Sequence, residues 1–249
     1  MCATCGCADH DPTRDAHEHE HEHEHDHAHD HEPSRRISLE RSVLERNDRF
    51  ADANRTWLQH QQILALNLLS SPGSGKTTLL VETIRRSRDR FASFVIEGDQ
   101  HTSLDADRIR AAGAPALQIN TGRGCHLDAH GVGHAMQELR PTQGAVLFIE
   151  NVGNLVCPAG FALGEAHKVV VLSVTEGDDK PAKYPDAFAA AELLLVNKLD
   201  LLPYVQFDVE RCVGLARRLN PRLSVLATSA TRGDGLDEWI AWIEARRPA

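Results

Sequence analysis

The stretch Ile63–Thr78 (ILALNLLSSPGSGKTT) constrains this chain more than any other. Ile63 to Leu69 is a continuous apolar run, the pattern of a buried strand. A glycine-rich turn follows at once, and Leu79, Leu80, Thr83 and Ile84 then repeat at helical spacing. Strand, glycine-rich turn and helix, in that order, are the setting in which a phosphate-binding loop works. Its backbone N–H groups converge on phosphate oxygens, and the start of the helix adds partial positive charge there. On this reading Gly73, Ser74, Gly75, Lys76, Thr77 and Thr78 cradle the phosphates. Lys76 reaches the terminal ones, and the Thr77 hydroxyl sits on Mg²⁺. Ser70 stands where the general motif has its first glycine.

Beyond Ile63 the chain alternates strand-like with helix-like segments. Apolar runs recur at Phe94–Ile96, Ala116–Ile119, Ala145–Ile149, Val169–Val174, Leu193–Val196 and Leu223–Leu226. This rhythm predicts an α/β fold, a mostly parallel twisted sheet with helices on both faces. At 249 residues the chain holds one such domain, expected over residues 37–249, plus a tail over residues 1–36. Pro33–Gln62 reads as a linker running into a helical extension that packs on the domain edge.

Ligands of parallel sheets gather at the carboxyl ends of the strands. Asp99 and Glu150 each follow an apolar run and are candidate Mg²⁺ carboxylates, although acids also end strands for solvation alone. Asn197-Lys198-Leu199-Asp200 is more specific. A carboxylate at Asp200 can accept from both the ring N–H and the exocyclic amine of guanine, a pair that adenine does not present. Asn197 braces that loop and Lys198 lies along the base, while Ser229 and Ala230, after the last run, support the guanine carbonyl. Phosphate loop and N-K-x-D together point to GTP and GDP as ligands and to GTP hydrolysis, with Lys76, Asp99 and Glu150 as catalytic candidates.

A second constellation suits a soft metal. Cys125 and His126 fall where a helix is expected to start, so the helix dipole favours the thiolate. His126, His130 and His134 then form one stripe of that helix, and Gly131 and Gly133 weaken it in a way that suits a moving segment. Cys157 lies seven residues past Glu150, which brings it to the same rim. Two thiolates and an imidazole can hold Ni²⁺ or Zn²⁺, with a fourth ligand from water or a second subunit. A buried structural cysteine and a solvated histidine face remain the plain alternatives. Cys212 belongs to a C-terminal helical pattern and reads as core.

The tail is of another kind. Cys2, Cys5 and Cys7 sit within seven residues, and with Met1 removed they and the free amine make an S₃N donor set. His17–Glu32 alternates histidine with carboxylates, a composition that binds metal loosely and builds no core. Metal storage and an affinity tag are both open for that tract. The first 32 residues hold ten acids and one base, which accounts for the whole formal net charge of −9. With no basic face on the remainder, nucleic acid is not expected as a partner. No apolar run approaches the ~20 residues of a membrane span, and no secretory signal is visible. The expected location is therefore the cytoplasm.

Taken together, SSPGSGKTT, EGDQ, NTGRGCHLDA, ENVGNLVCP and NKLD closely resemble the hydrogenase nickel-incorporation GTPases (HypB), of the SIMIBI class of P-loop GTPases. Ser70 agrees with that family. The resemblance implies a homodimer on GTP binding that passes Ni²⁺ toward the [NiFe]-hydrogenase large subunit with a partner metallochaperone. It also implies that Cys125, His126 and Cys157 form the domain metal site, with His130 and His134 as a second one and Cys2, Cys5 and Cys7 as a terminal site of high affinity. Rival readings are nickel delivery to urease and a nickel or zinc store with a vestigial nucleotide site.

Overall fold

The computed structural model describes residues 32–99, 103–122 and 124–248, with the side chains of the first helix from residue 42 onward. The cysteines at 2, 5 and 7, and all of the histidine tract but its last residue, lie outside them. The chain divides into two compact units, Met1–Ser38 and Leu39–Ala249. The described part of the first is helical.

Seven strands build one sheet in the order β3-β2-β4-β1-β5-β6-β7, with every pairing parallel. They are β1 (Leu64–Ser70), β2 (Ser93–Asp99), β3 (Ala116–Asn120), β4 (Val146–Glu150), β5 (His167–Ser173), β6 (Leu193–Asn197) and β7 (Ser224–Ala227). Each of the seven apolar runs became one of these strands. Buried on both faces, β1, β4 and β6 need no polar alternation, which is why their sequences are almost continuously aliphatic.

The helices are α1 (Glu32–His60), α2 (Lys76–Ser87), α3 (Leu104–Ala111), α4 (Ala129–Leu139), α5 (Lys180–Lys183), α6 (Pro185–Ala190), α7 (Val209–Leu219) and α8 (Leu236–Glu244). One face of the sheet packs Leu64, Leu66 and Leu68 against Leu79 and Leu80 of α2 and Trp239 of α8. The other divides between a cluster around Leu69, Phe188 and Cys212 and one around Ile96, Leu127, Met136 and Leu163. Among the described residues no helix is long and apolar enough to cross a membrane.

Three local expectations are corrected. Pro33–Gln62, expected as a linker running into a helical extension, is helical from its first residue, in a helix that begins at Glu32. The helix expected at Cys125 begins instead at Ala129, because Asp128 accepts the Gly131 N–H at 2.7 Å and caps it. His126 therefore precedes the His130–His134 stripe rather than heading it. Gly133 answers to packing, since a Cβ there would meet Asn54 Oδ1 at 2.8 Å.

That contact belongs to a clip. Asn54 Nδ2 donates to the Ala129 carbonyl at 2.7 Å and to that of Leu163 at 2.9 Å. Asn47 Nδ2 donates to Ala162 O at 2.8 Å, and its Oδ1 accepts from the Ala129 N–H at 2.9 Å. Helix α1 thus ties the start of α4 to the chain following Cys157. Replacing Asn54 by Ala removes both of these buried hydrogen bonds and is expected to cost about 1–3 kcal/mol in urea unfolding. A loss under ~0.5 kcal/mol, the usual range for surface changes, would mean that α1 is not anchored there.

Candidate functional site

Each strand of this sheet ends at one rim, and the loops along it carry the chemistry. After β1, Gly75 takes a φ of 93° as the residue before α2, and a Cβ on it would meet Asn197 Nδ2 at 2.7 Å. Glycine is required there by both conformation and space. Lys76, buried, donates from Nζ to Ser70 Oγ at 2.7 Å. The serine in the place of the motif's first glycine is thus the anchor of the phosphate lysine. Burial pulls the Lys76 ammonium below its usual range, against the opposing pull of Glu150, Glu97, Asp105 and Glu176.

The carboxylates come from the neighbouring strands. Glu150 on β4 accepts from Thr77 Oγ1 at 2.8 Å, while its other oxygen is buried with no hydrogen-bond partner. Burial raises its carboxyl, opposed by Lys76 and the Thr77 hydroxyl. Glu97 on β2 is its register partner and likewise has an unpartnered buried oxygen. Burial, then the charges of Glu150, Asp99 and Asp105, push Glu97 up to about 8. Asp99 lies two residues on, half-buried, on the same face of the strand. A cavity of about 600 Å³ gathers the phosphate loop, Glu97, Asp99, Glu150 and Arg108.

Sequence reading named Asp99 and Glu150 here but passed over Glu97 and Arg108. Strand alternation from Asp99 could have found Glu97. Arg108, held to Thr78 Oγ1 at 3.1 Å and Asp105 Oδ1 at 3.0 Å, comes from α3 and carried no motif.

The N-K-x-D segment closes over the same loop. Asn197 Nδ2 donates to Ser74 O at 3.0 Å, and Lys198 Nζ to Gly73 O at 2.6 Å. Asn197 Oδ1 accepts from Thr228 Oγ1 and the Ala230 N–H, both at 3.3 Å. Ser229 Oγ donates to Asp200 Oδ1 at 2.5 Å. Asn197, Lys198, Asp200, Ser229 and Ala230 are therefore one assembly braced against the phosphate loop.

On the β3–β4 side of the rim, the ligand atoms of Cys125, His126 and Cys157 lie within 4.8 Å of one another. Cys125 Sγ is 3.5 Å from His126 Nδ1, and the His126 ring packs on Phe161 at 4.0 Å between centroids. All three are half-buried. The hydrogen bond to Cys157, then burial, raise the Cys125 thiol; the expected lowering by a helix start is absent, since that helix begins four residues later. Burial lowers the His126 imidazolium, against Asp128.

His130 and His134 are exposed on α4 with their Nε2 atoms 3.1 Å apart, and His130 abuts Phe50. Among the described residues they do not join a larger ligand cluster. Cys212 is core, its thiol pushed up to about 12 by burial.

A sheet of this order with a phosphate loop after its central strand defines a P-loop nucleotide-binding domain, here with a cysteine–histidine cluster on the same rim. Residues 64–227 match the family model "CobW/HypB/UreG, nucleotide-binding domain". The chain is 59% identical over 214 residues to "Hydrogenase maturation factor HypB" of Azotobacter vinelandii, covering 86% of this chain and 71% of that one. The crystal structure of the HypB of Archaeoglobus fulgidus superposes with a TM-score of 0.77 at 38% identity, over 82% of this chain and all of that one. The HypB of Helicobacter pylori, solved in complex with nickel, gives 0.76 at 36%, over 81% and 95%. The chain belongs to the HypB family of hydrogenase maturation factors, which are P-loop GTPases.

The carboxylate pair yields a pH prediction. Folded, Glu97 keeps its proton up to about 8, whereas unfolded it releases it in the ordinary carboxylate range. Between those limits the folded state binds more protons, so nucleotide-free protein loses stability as pH rises. Glu97→Gln should unfold at a higher urea concentration than the parent near pH 8, with the gap closing toward about pH 5. A gap independent of pH would contradict this.

Proposed function

We propose that the chain is a GTP-hydrolysing nickel chaperone. It takes Ni²⁺ at Cys125, His126 and Cys157, dimerises on GTP, and hands the ion on for [NiFe]-hydrogenase maturation with a partner metallochaperone and the hydrogenase large subunit. Its place of action is the cytoplasm. The observation that carries this reading is one short segment. Glu150, hydrogen-bonded to the phosphate-loop Thr77, and Cys157, in the cysteine pair, are seven residues apart on the chain leaving β4.

The residues fit the ligands this function needs. The unpartnered oxygen of Glu150, buried beside the Thr77 hydroxyl, offers oxygen donors of the kind Mg²⁺ takes. Thr77 would hold the ion, with Glu150 and Asp99 directly or through water, and the ion would neutralise charge on the phosphates. Lys76 leaves Ser70 for the β- and γ-phosphates. Asp200 accepts from guanine while Asn197 and Lys198 keep the base loop on the phosphate loop. A sulfur–sulfur–nitrogen set suits Ni²⁺ as cargo and Zn²⁺ as an alternative occupant. A fourth ligand comes from water or from a second copy, and the neighbouring Val156 is exposed and apolar.

Binding of GTP draws the loops at Asp99 and Glu150 inward. Cys157 moves with Glu150, the metal is held differently, and hydrolysis reverses the change. Such coupling needs different nickel affinities in the two nucleotide states, about 1–3 kcal/mol. Purified protein should turn over GTP in the presence of Mg²⁺, and Cys157→Ser should reduce the sensitivity of nickel binding to nucleotide. Absence of turnover would favour a metal store. Unchanged sensitivity in Cys157→Ser would count against the coupling.

A further inference from the structure

Protein separates the phosphate cavity from the cysteine pair, and part of it is polar. Asn67 lies in the middle of the central strand β1 and is 0% exposed. A buried amide between Leu66 and Leu68 costs free energy unless its groups are paired. Here both ends are. Nδ2 donates to Glu165 Oε1 at 3.1 Å, and Oδ1 accepts from Asn151 Nδ2 at 3.3 Å.

Both partners lead to the metal-bearing loops. Asn151 directly follows Glu150, and its Oδ1 accepts the Leu127 N–H at 3.1 Å, next to His126, and the Val152 N–H at 3.0 Å. Glu165 Oε2 accepts the Leu163 N–H at 2.6 Å. Lys168, the register partner of Asn67 on β5, stands 3.8 Å from Glu165. Its Nζ donates to Ala159 O at 2.7 Å and Phe161 O at 3.1 Å, the turn that Cys157 begins. The segment after Glu150 also lies tight against the phosphate loop, since a Cβ on Gly153 would meet Pro72 Cα at 3.0 Å.

We propose that Asn151, Asn67, Glu165 and Lys168 are positioning residues of the metal site, a buried relay through which the position of Glu150 sets the spacing of Cys125 and Cys157. When Glu150 shifts, Asn151 shifts with it. Its amide then keeps both Leu127 and Asn67 only if the Cys125 loop and, through Glu165 and Lys168, the Cys157 turn adjust as well. Low local dielectric makes breaking these bonds costly, so they transmit rather than absorb the change. The relay rests on the reading that nucleotide and nickel sense one another, and it names the side chains that carry the message.

The test uses the full chain with Cys2, Cys5 and Cys7 replaced by Ala, so that thiolate-to-nickel absorption reports on Cys125 and Cys157. Ni²⁺ is titrated with GDP and with a non-hydrolysable GTP analogue. The parent should show a ratio of nickel affinities of at least about fivefold between the two states. Asn67→Ala should bring that ratio within about twofold of one while leaving analogue affinity within about threefold of the parent. A merely structural role would weaken nickel equally in both states and keep the ratio, which overturns the relay while sparing the broader reading. A parent ratio of one overturns the reading and the relay with it. If Asn67→Ala does not fold, Lys168→Met, which leaves β1 and the phosphate loop intact, carries the same expectation and the same overturning result.

Discussion

A single hydrogen bond, Thr77 Oγ1 to Glu150 Oε1 at 2.8 Å, ties the start of α2, where the phosphate loop ends, to the end of β4. Burial raises the Glu150 carboxyl, and Lys76 and the Thr77 hydroxyl are the groups that favour its charged form. Its second oxygen is unsatisfied. A group in that condition is poised for a cation, and it responds to whatever binds beside it. Because β4 lies between β1 and β2, Glu150 also borders Glu97 in register, so any change in charge at one is felt by the other.

The sheet order places Cys125, His126 and Cys157 where they can share in this. Cys125 and His126 follow β3, Cys157 follows β4, and the phosphate loop follows β1, so their loops all leave the same rim. Helix α1 then fixes the outer wall. Asn47 and Asn54 reach the start of α4 and the chain after Cys157, joining the two loops from outside as Asn151 and Asn67 join them from within. The cysteine pair is held from two directions, yet both residues stay only partly buried. That combination suits a site that must bind and also let go.

Much of this was legible beforehand, for a physical reason. Strands buried on both faces announce themselves as aliphatic runs, and in parallel sheets function follows the strand ends, so Lys76, Thr77, Glu150, Asn197 and Asp200 could be placed without coordinates. What stayed hidden depended on tertiary neighbours. Glu97 reads as an ordinary strand acid until β4 is laid beside it. Asn47, Asn54 and Asn67 look like indifferent polar residues until their carbonyl and amide partners arrive from 75 or more residues away. The start of α4 is set by Asp128 and not by the cysteine three residues before it. Asp128, a residue type preferred as a cap, was the better signal.

The central claim is that the grip on the cargo ion depends on which nucleotide fills the neighbouring cavity. X-ray absorption at the nickel edge tests it most directly, on nickel-loaded protein lacking the tail cysteines, first with GDP and then with a GTP analogue. The account predicts that the count or distance of sulfur ligands differs between the two spectra. Superimposable spectra, with both nucleotides demonstrably bound, would contradict it.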